Sequence, residues 1–293
     1  MVESAIHADL IAVLVAVTAG EPRVLTIDNG YALPAGPLQT GHRSLQSGLR
    51  AWVEQQTHHT LGYVEQLYTF ADQRPGAGRS ISISYLALSR EKTAEYAEAA
   101  WRSWYDYFPW EDTRLAAPDL AEIVKRLSIW AAGSSERKAR VDGLFDVEGQ
   151  GWNEELILQR YELLWEAELV QEARRVSSFQ PEVNTGVRMT HDHRRILATA
   201  IARLRAKIKY RPVVFELLPN EFTLLELQQT MEALAGRSLH KPNFRRLIEQ
   251  QDLVEETGRS SSGLAGRPAK LFRFRAVVRA ERSFFGSKLP VVR

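Results

Sequence analysis

Net charge reverses sign along this chain. Residues 188–293 carry 21 Lys and Arg against 10 Asp and Glu, a net of +11; residues 1–187 carry 17 against 26, a net of −9. A single domain mixes its charges over one shared surface, so a reversal of this size points to two separately folded modules, one acidic and one basic. A chain of 293 residues has room for both, since one core serves roughly 100–200 residues. The overall charge of +2 conceals the division. A concentrated basic module is the electrostatic footprint of a polyanion binder.

Several classes are excluded or disfavoured at once. The chain has no cysteine, which removes disulfide and thiolate chemistry. Its longest apolar run, Leu10–Val17, falls far short of the roughly 20 residues a membrane span requires. Glu3 and Asp9 open the sequence without a basic stretch, so no secretory signal and a cytoplasmic location are expected.

The basic module carries sharp local signals. A helix is expected from Thr190, with Ile196, Leu197, Ala200, Ile201, Leu204 and Ile208 on one stripe. Thr223 to Glu226 forms a capping box, and Phe222 with Leu227 a hydrophobic staple. Gly236 is a natural stop for the helix that follows. Pro242 then suits the first position of a third helix, which buries Phe244, Leu247 and Ile248. Leu253–Thr257 and Lys270–Phe274 read as strands around a Gly/Ser/Arg loop.

Three helices, a strand, a glycine-rich loop and a strand make the order of a winged helix-turn-helix. The third helix presents amide and guanidinium groups, which can form paired bonds to base edges in a major groove. Expected DNA contacts are His240, Lys241, Asn243, Arg245 and Arg246 on or before that helix, and Arg259, Arg267 and Lys270 on the wing, where they can meet phosphates.

The acidic module opens with an apolar hairpin, Leu10–Val17 and Arg23–Ile27 around the turn Thr18–Pro22. Ser44–Gln56 is expected as a helix, Gln66–Phe70 and Ser80–Leu88 as strands around the loop Ala71–Arg79, and Trp152–Val170 as one long amphipathic helix. The aromatic run Trp101–Trp110 is expected in the core. His191-Asp192-His193 has a spacing that turns two imidazoles to different helix faces, so helix start or domain interface is expected there. His58-His59 reads as a solvated turn and Glu162/Glu166 as a polar helix face.

This layout resembles a Nudix domain. Laying the Arg of the Nudix box on Arg50 puts its opening Gly on Gly36, its apolar position on Trp52 and one of its paired glutamates on Glu54. His42, Ala51, Gln55 and Thr57 stand where the box has Glu, Glu, Glu and Gly. Nudix hydrolysis holds Mg²⁺ on several carboxylates of one helix, because a hard dication wants anionic oxygens. Glu54 alone remains, so no bound metal, no catalytic residue and no enzyme activity are expected. A pocket that still binds a nucleotide would use Arg50, Arg74, Arg79 and Glu54. For Arg50 an ion pair with a local carboxylate is an equal expectation. The alternative is a pyrophosphohydrolase that recruits other ligands, such as Glu65 or Asp72.

A degenerate Nudix domain followed by a winged helix is similar to the Nudix-related transcriptional regulators of NAD metabolism, the NrtR group, and most of all to its alphaproteobacterial NadQ type. The likeness rests on Leu67–Ser89, Trp152–Glu155, Arg160–Leu164, His193–Leu197, Lys209–Pro212, Asn243–Arg246 and Gly266–Lys270. It implies an α+β chain: a Nudix-like α/β/α sandwich over residues 1–172, a linker over 173–189 and a winged helix-turn-helix over 190–293. It also implies a homodimeric repressor of NAD biosynthesis or salvage genes that binds double-stranded operator DNA. The implied effector is ADP-ribose, or NAD or ATP in the NadQ type, and no cofactor is implied.

Overall fold

The computed structural model describes residues 7–74, 78–90, 99–114, 118–149, 151–173, 183–209, 213–261 and 268–275, and only the backbone of 72–74, 78–79 and 118. A six-stranded mixed sheet organises the first half. Its strands are β1 (His7–Thr18), β2 (Glu21–Thr26), β3 (Ala35–Pro37), β4 (Tyr63–Arg74), β5 (Gly78–Leu88) and β6 (Ala100–Ser103). Their order is β4-β5-β1-β2-β6, with β3 also on β1. β1 runs parallel to β5; every other pairing is antiparallel.

β1 lies at the centre because it is apolar on both faces. Ile11, Val13 and Val15 join one core with Val24, Leu86 and Leu88, while Leu10, Ala12, Leu14 and Ala16 join another with Leu25, Tyr85 and Ala87. Two-sided burial explains a continuous apolar run in a strand. The β1–β2 hairpin closes with Thr18 opposite Glu21, as its turn predicts. β4 and β5 are longer than expected and consume most of the anticipated 71–79 loop.

α1 (Leu45–Thr57) covers one face, burying Leu49 and Val53. Its N-cap is Ser44, and Ser47 supplies the reciprocal bond that Glu gives in the usual box. α2 (Pro118–Trp130), α3 (Ser135–Phe145), α4 (Ile157–Glu166) and α5 (His193–Ile208) occupy the other side. The expected helix Trp152–Val170 is shorter than anticipated. It begins as a 3₁₀ turn at Glu154–Leu156 and ends at Glu166, because Glu168 turns left-handed (φ 55°) and Leu169 N donates back to Leu164 O. The aromatic run is core as expected: Trp104, Tyr107, Phe108 and Trp110 are buried, and Phe108 meets Trp110 and Tyr161 edge-on at 5.8 and 6.0 Å.

α6 (Leu224–Ala235), α7 (Lys241–Gln251), β7 (Val254–Ser260) and β8 (Lys270–Phe274) form the winged helix. Thr223 caps α6 in the predicted box with Glu226, and Gly236 ends it at φ 72°. Phe222 pairs with Phe272 on the wing, and the Phe274 ring meets those of Phe215 and Phe222 at 4.2 and 4.8 Å in tilted contacts. The apolar core continues from the sheet through α5 into α6 and α7 without interruption.

One polar cluster lies inside it. Glu111 is fully buried between Arg160 of α4 (Nε–Oε1 2.6 Å) and Arg205 of α5 (Nη1–Oε2 2.5 Å), each also fully buried. Arg160 further donates to Leu144 O and Asn153 O, and Arg205 to Leu234 O and Glu154 O. Such donors satisfy carbonyls as well as the carboxylate, the condition under which a buried charge cluster is tolerable. Burial is the largest influence and depresses the Arg205 guanidinium, but the charge and hydrogen bond of Glu111, together with Tyr105, more than offset it and hold the group above its ordinary range. Among the described residues no helix is long and apolar enough to cross a membrane.

Candidate nucleic-acid interface

α7 turns its cations outward because Phe244 and Ile248 anchor the opposite face. Lys241, Arg245 and Arg246 are exposed, Asn243 is half-exposed, and His240 sits exposed at the N-cap without a capping bond. Among the described residues no salt bridge engages Lys241, Arg245 or Arg246. The cations gather on the amino-terminal half of the helix, whose dipole end also favours anions. Phosphate and base-edge contacts need this arrangement: unpaired donors on a rigid, protruding helix. If Lys241 meets the DNA backbone, Lys241→Ala lowers the slope of log K against log salt by about one. Titration at several salt concentrations reads this directly, and an unchanged slope removes Lys241 from the contact set.

The wing is less free. Arg259 pairs with Glu221 at 3.1 Å and Lys270 with Glu256 at 2.8 Å. These exposed pairs are worth under about 1 kcal/mol each and can yield to a phosphate. The sequence named the two cations but not their partners, which only the β7–β8 register and the approach of Glu221 bring near. Arg267 lies outside the described residues.

The helix aligned with the Nudix box has a structural inner face. A Cβ on Gly36 would fall 2.3 Å from the Trp52 ring, so glycine there lets the indole lie on β3. Trp52 Nε1 donates to Pro37 O at 2.9 Å, and Gln56 exchanges both amide bonds with the Ala35 backbone. Ala51, Glu54 and Gln55 point outward. Among the described residues Arg50 pairs with no carboxylate, which corrects that expectation; it donates to the carbonyls of Leu61 and, at 3.0 Å, Gly62. The guanidinium thus pins the segment after α1. The side chains of Arg74, Arg79 and Asp72 lie outside the described residues.

Other polar residues are settled by their neighbours. Glu65, the alternative metal ligand, is engaged by Lys207, Tyr63 and Arg203. His59 corrects the expectation of a solvated turn. It is buried, bonds Thr57 O at 2.9 Å and meets Trp101 edge-on. His193 accepts from Leu33 N at 2.9 Å, which ties α5 to the sheet domain as the interface reading expected. Glu162 and Glu166 pair with Arg195 and Arg140. Among the described residues no group of three or more His, Asp or Glu is placed to hold a metal.

An open cleft of about 550 Å³ is lined by Tyr31, Tyr105, Asp106, Asn184, Gly186 and Arg188, among others. Arg188 lies over the half-exposed Tyr31 ring at 5.7 Å. Burial raises the Asp106 carboxyl above its ordinary value, against the pull of Arg102. An aromatic platform, a cation and a carboxylate around one cleft can meet a base, a phosphate and a sugar diol.

Residues 214–274 match the NrtR DNA-binding winged helix domain. The ADPR responsive transcriptional repressor NtrR of Acinetobacter baylyi is 42% identical over 87 residues, 29% of this chain and 34% of that one. The match thus spans about a third of the curated relative. The whole fold is shared with the crystal structure of Shewanella oneidensis NrtR complexed with a 27mer DNA, at TM-score 0.57 and 21% identity over 96% of this chain and 99% of that one. It is also shared with a MutT/nudix family protein from Enterococcus faecalis, at TM-score 0.53 and 17% identity over 92% and 87% of the two chains.

Proposed function

We propose that this chain, a Nudix-like domain joined to a winged helix of the NrtR family, is an ADP-ribose-responsive transcriptional repressor of NAD biosynthesis or salvage genes. The observation that carries this reading is the α7 face: Lys241, Arg245 and Arg246, exposed and unpaired among the described residues, on the reading helix of a family-matched winged helix. Repression and the ADP-ribose response come from the name of the relative that matches a third of its length here. NAD and ATP are comparison ligands, in keeping with the NadQ-type likeness. A homodimer in the cytoplasm completes the proposal, since a two-fold protein suits a two-fold operator.

In this reading the Nudix-like domain binds its nucleotide without hydrolysing it. The box-aligned helix offers Glu54 as its one carboxylate on the outward face, and Glu65 is already held by two cations. Two locations suit the effector. One is the box face, with Arg50, Arg74, Arg79 and Glu54. The other is favoured by the cleft at Tyr31, Asp106 and Arg188, whose size and mixed lining suit a nucleotide. Calorimetry with ADP-ribose on Arg50→Ala and Arg188→Ala separates them, with the affinity lost in the variant that lines the true site. Incubation with ADP-ribose and Mg²⁺ is expected to leave the ligand intact. Steady turnover would establish an enzyme and reject the sensor.

A further inference from the structure

The last carbonyls of a helix have no partner within it and usually meet water or a local cap. At the end of α6 they are met by α5 and by the stretch that follows β6. Tyr105 Oη donates to Ala233 O at 2.7 Å, Arg205 Nε to Leu234 O at 2.9 Å, and Thr113 N and Oγ1 to Gly236 O at 2.7 and 2.8 Å. Gly236 is pressed against the same segment: a Cβ there would fall 2.2 Å from Glu111 O. Tyr105, Glu111 and Thr113 all belong to the stretch that leaves β6, and β6 is paired with β2 in the sheet. Glu111 fastens this stretch to α4 and α5 through Arg160 and Arg205.

The grip extends to the DNA-reading helix. Glu232 Oε1 accepts from Leu239 N at 2.8 Å and from Gln228 Nε2, which also donates to Leu239 O. These bonds tie the α6–α7 turn to α6, so the pose of α6 sets that of α7. On its other side the Tyr105–Asp106 segment forms part of the cleft wall. Burial raises the Tyr105 phenol above its ordinary value and keeps its proton in place for Ala233 O.

We propose that Tyr105 and Thr113 are positioning residues for DNA recognition: they fix the carboxyl end of α6 to the Nudix-like domain, and nucleotide occupancy there reaches α7 through this contact. The inference rests on the sensor reading above and deepens it by naming the route. A ligand shifts DNA affinity only by its difference in affinity between two arrangements, so an element that both sites bias is required. The carbonyls of Ala233 and Leu234 in α6 and of Gly236, its cap, supply one, because they can be held or released as a group.

The test uses the full chain. DNA affinity is measured with and without saturating ADP-ribose for the wild type, Tyr105→Phe/Thr113→Ala and Thr113→Ser, with ADP-ribose affinity measured separately. Compared at an ADP-ribose concentration that saturates each variant, the double variant is expected to bring the ratio of the two DNA affinities to within about twofold of one; Thr113→Ser, which keeps the hydroxyl, retains the wild-type ratio. A double variant with the full wild-type ratio overturns the inference. A wild type without any ratio overturns the sensor reading instead. Should the double variant fail to fold or to bind ADP-ribose, amide exchange at Thr113 in the wild type gives the answer, since that amide donates to Gly236 O. ADP-ribose is expected to change its exchange rate several-fold, and an unchanged rate overturns the inference.

Discussion

Glu111→Ala is expected to destabilise the protein by about 3–5 kcal/mol, because it strands two fully buried guanidinium groups without their shared carboxylate. In thermal unfolding this is a fall of roughly 10 °C for a chain of this size. Burial decides the magnitude. Glu162 makes the same kind of bond to Arg195 at 2.7 Å, but both side chains are about 40% exposed, and Glu162→Ala is expected to cost under about 1 kcal/mol. Equal effects from the two substitutions would mean that the buried cluster does not join α4 and α5 as the geometry indicates. Glu111→Ala also loosens Arg205, which holds Leu234 O, so the damage extends to the winged helix.

Arg245→Ala/Arg246→Ala is expected to weaken specific DNA binding by about 2–6 kcal/mol, roughly 30-fold or more, if each guanidinium makes a paired contact to a base edge. Stability should hardly move, since both side chains are exposed and unpaired among the described residues. Loss of affinity without loss of folding separates a reading face from a solvated charged surface. A decrease smaller than about threefold at constant salt would place base recognition elsewhere. Discrimination between cognate and scrambled duplexes should fall in parallel, because phosphate contacts alone carry no sequence information.

The parts of the fold that sequence made legible are those encoded locally. The Thr223–Glu226 box, Pro242 and Gly236 each act within one helical turn: α6 begins and ends where they indicate, and α7 begins one residue before Pro242. The two-faced apolar run of β1 and the turn after it are equally local. α3 was not legible because it buries only Val141 and Phe145, too few to impose a period. The break at Glu168 was missed because nothing but its left-handed backbone marks it.

The candidate site divides in the same way. The α7 cations could be read from helical spacing against Phe244 and Ile248. Arg50 was read as a partner for phosphate or carboxylate and holds two carbonyls, since a side chain long enough for either reaches whatever the fold brings near. Glu111 lies 49 residues from Arg160 and 94 from Arg205, and no spacing announces such a contact. Its one sequence signal was an acid placed directly after an aromatic stretch bound for the core.

The most direct measurement is a titration of a duplex, selected by the protein from a random pool, with and without saturating ADP-ribose at fixed salt. The account predicts tight binding, on the order of 10⁻⁸ M or better, that ADP-ribose shifts by at least about fivefold while the nucleotide is recovered intact. An affinity that ADP-ribose leaves unmoved, or binding indifferent to sequence, would contradict it.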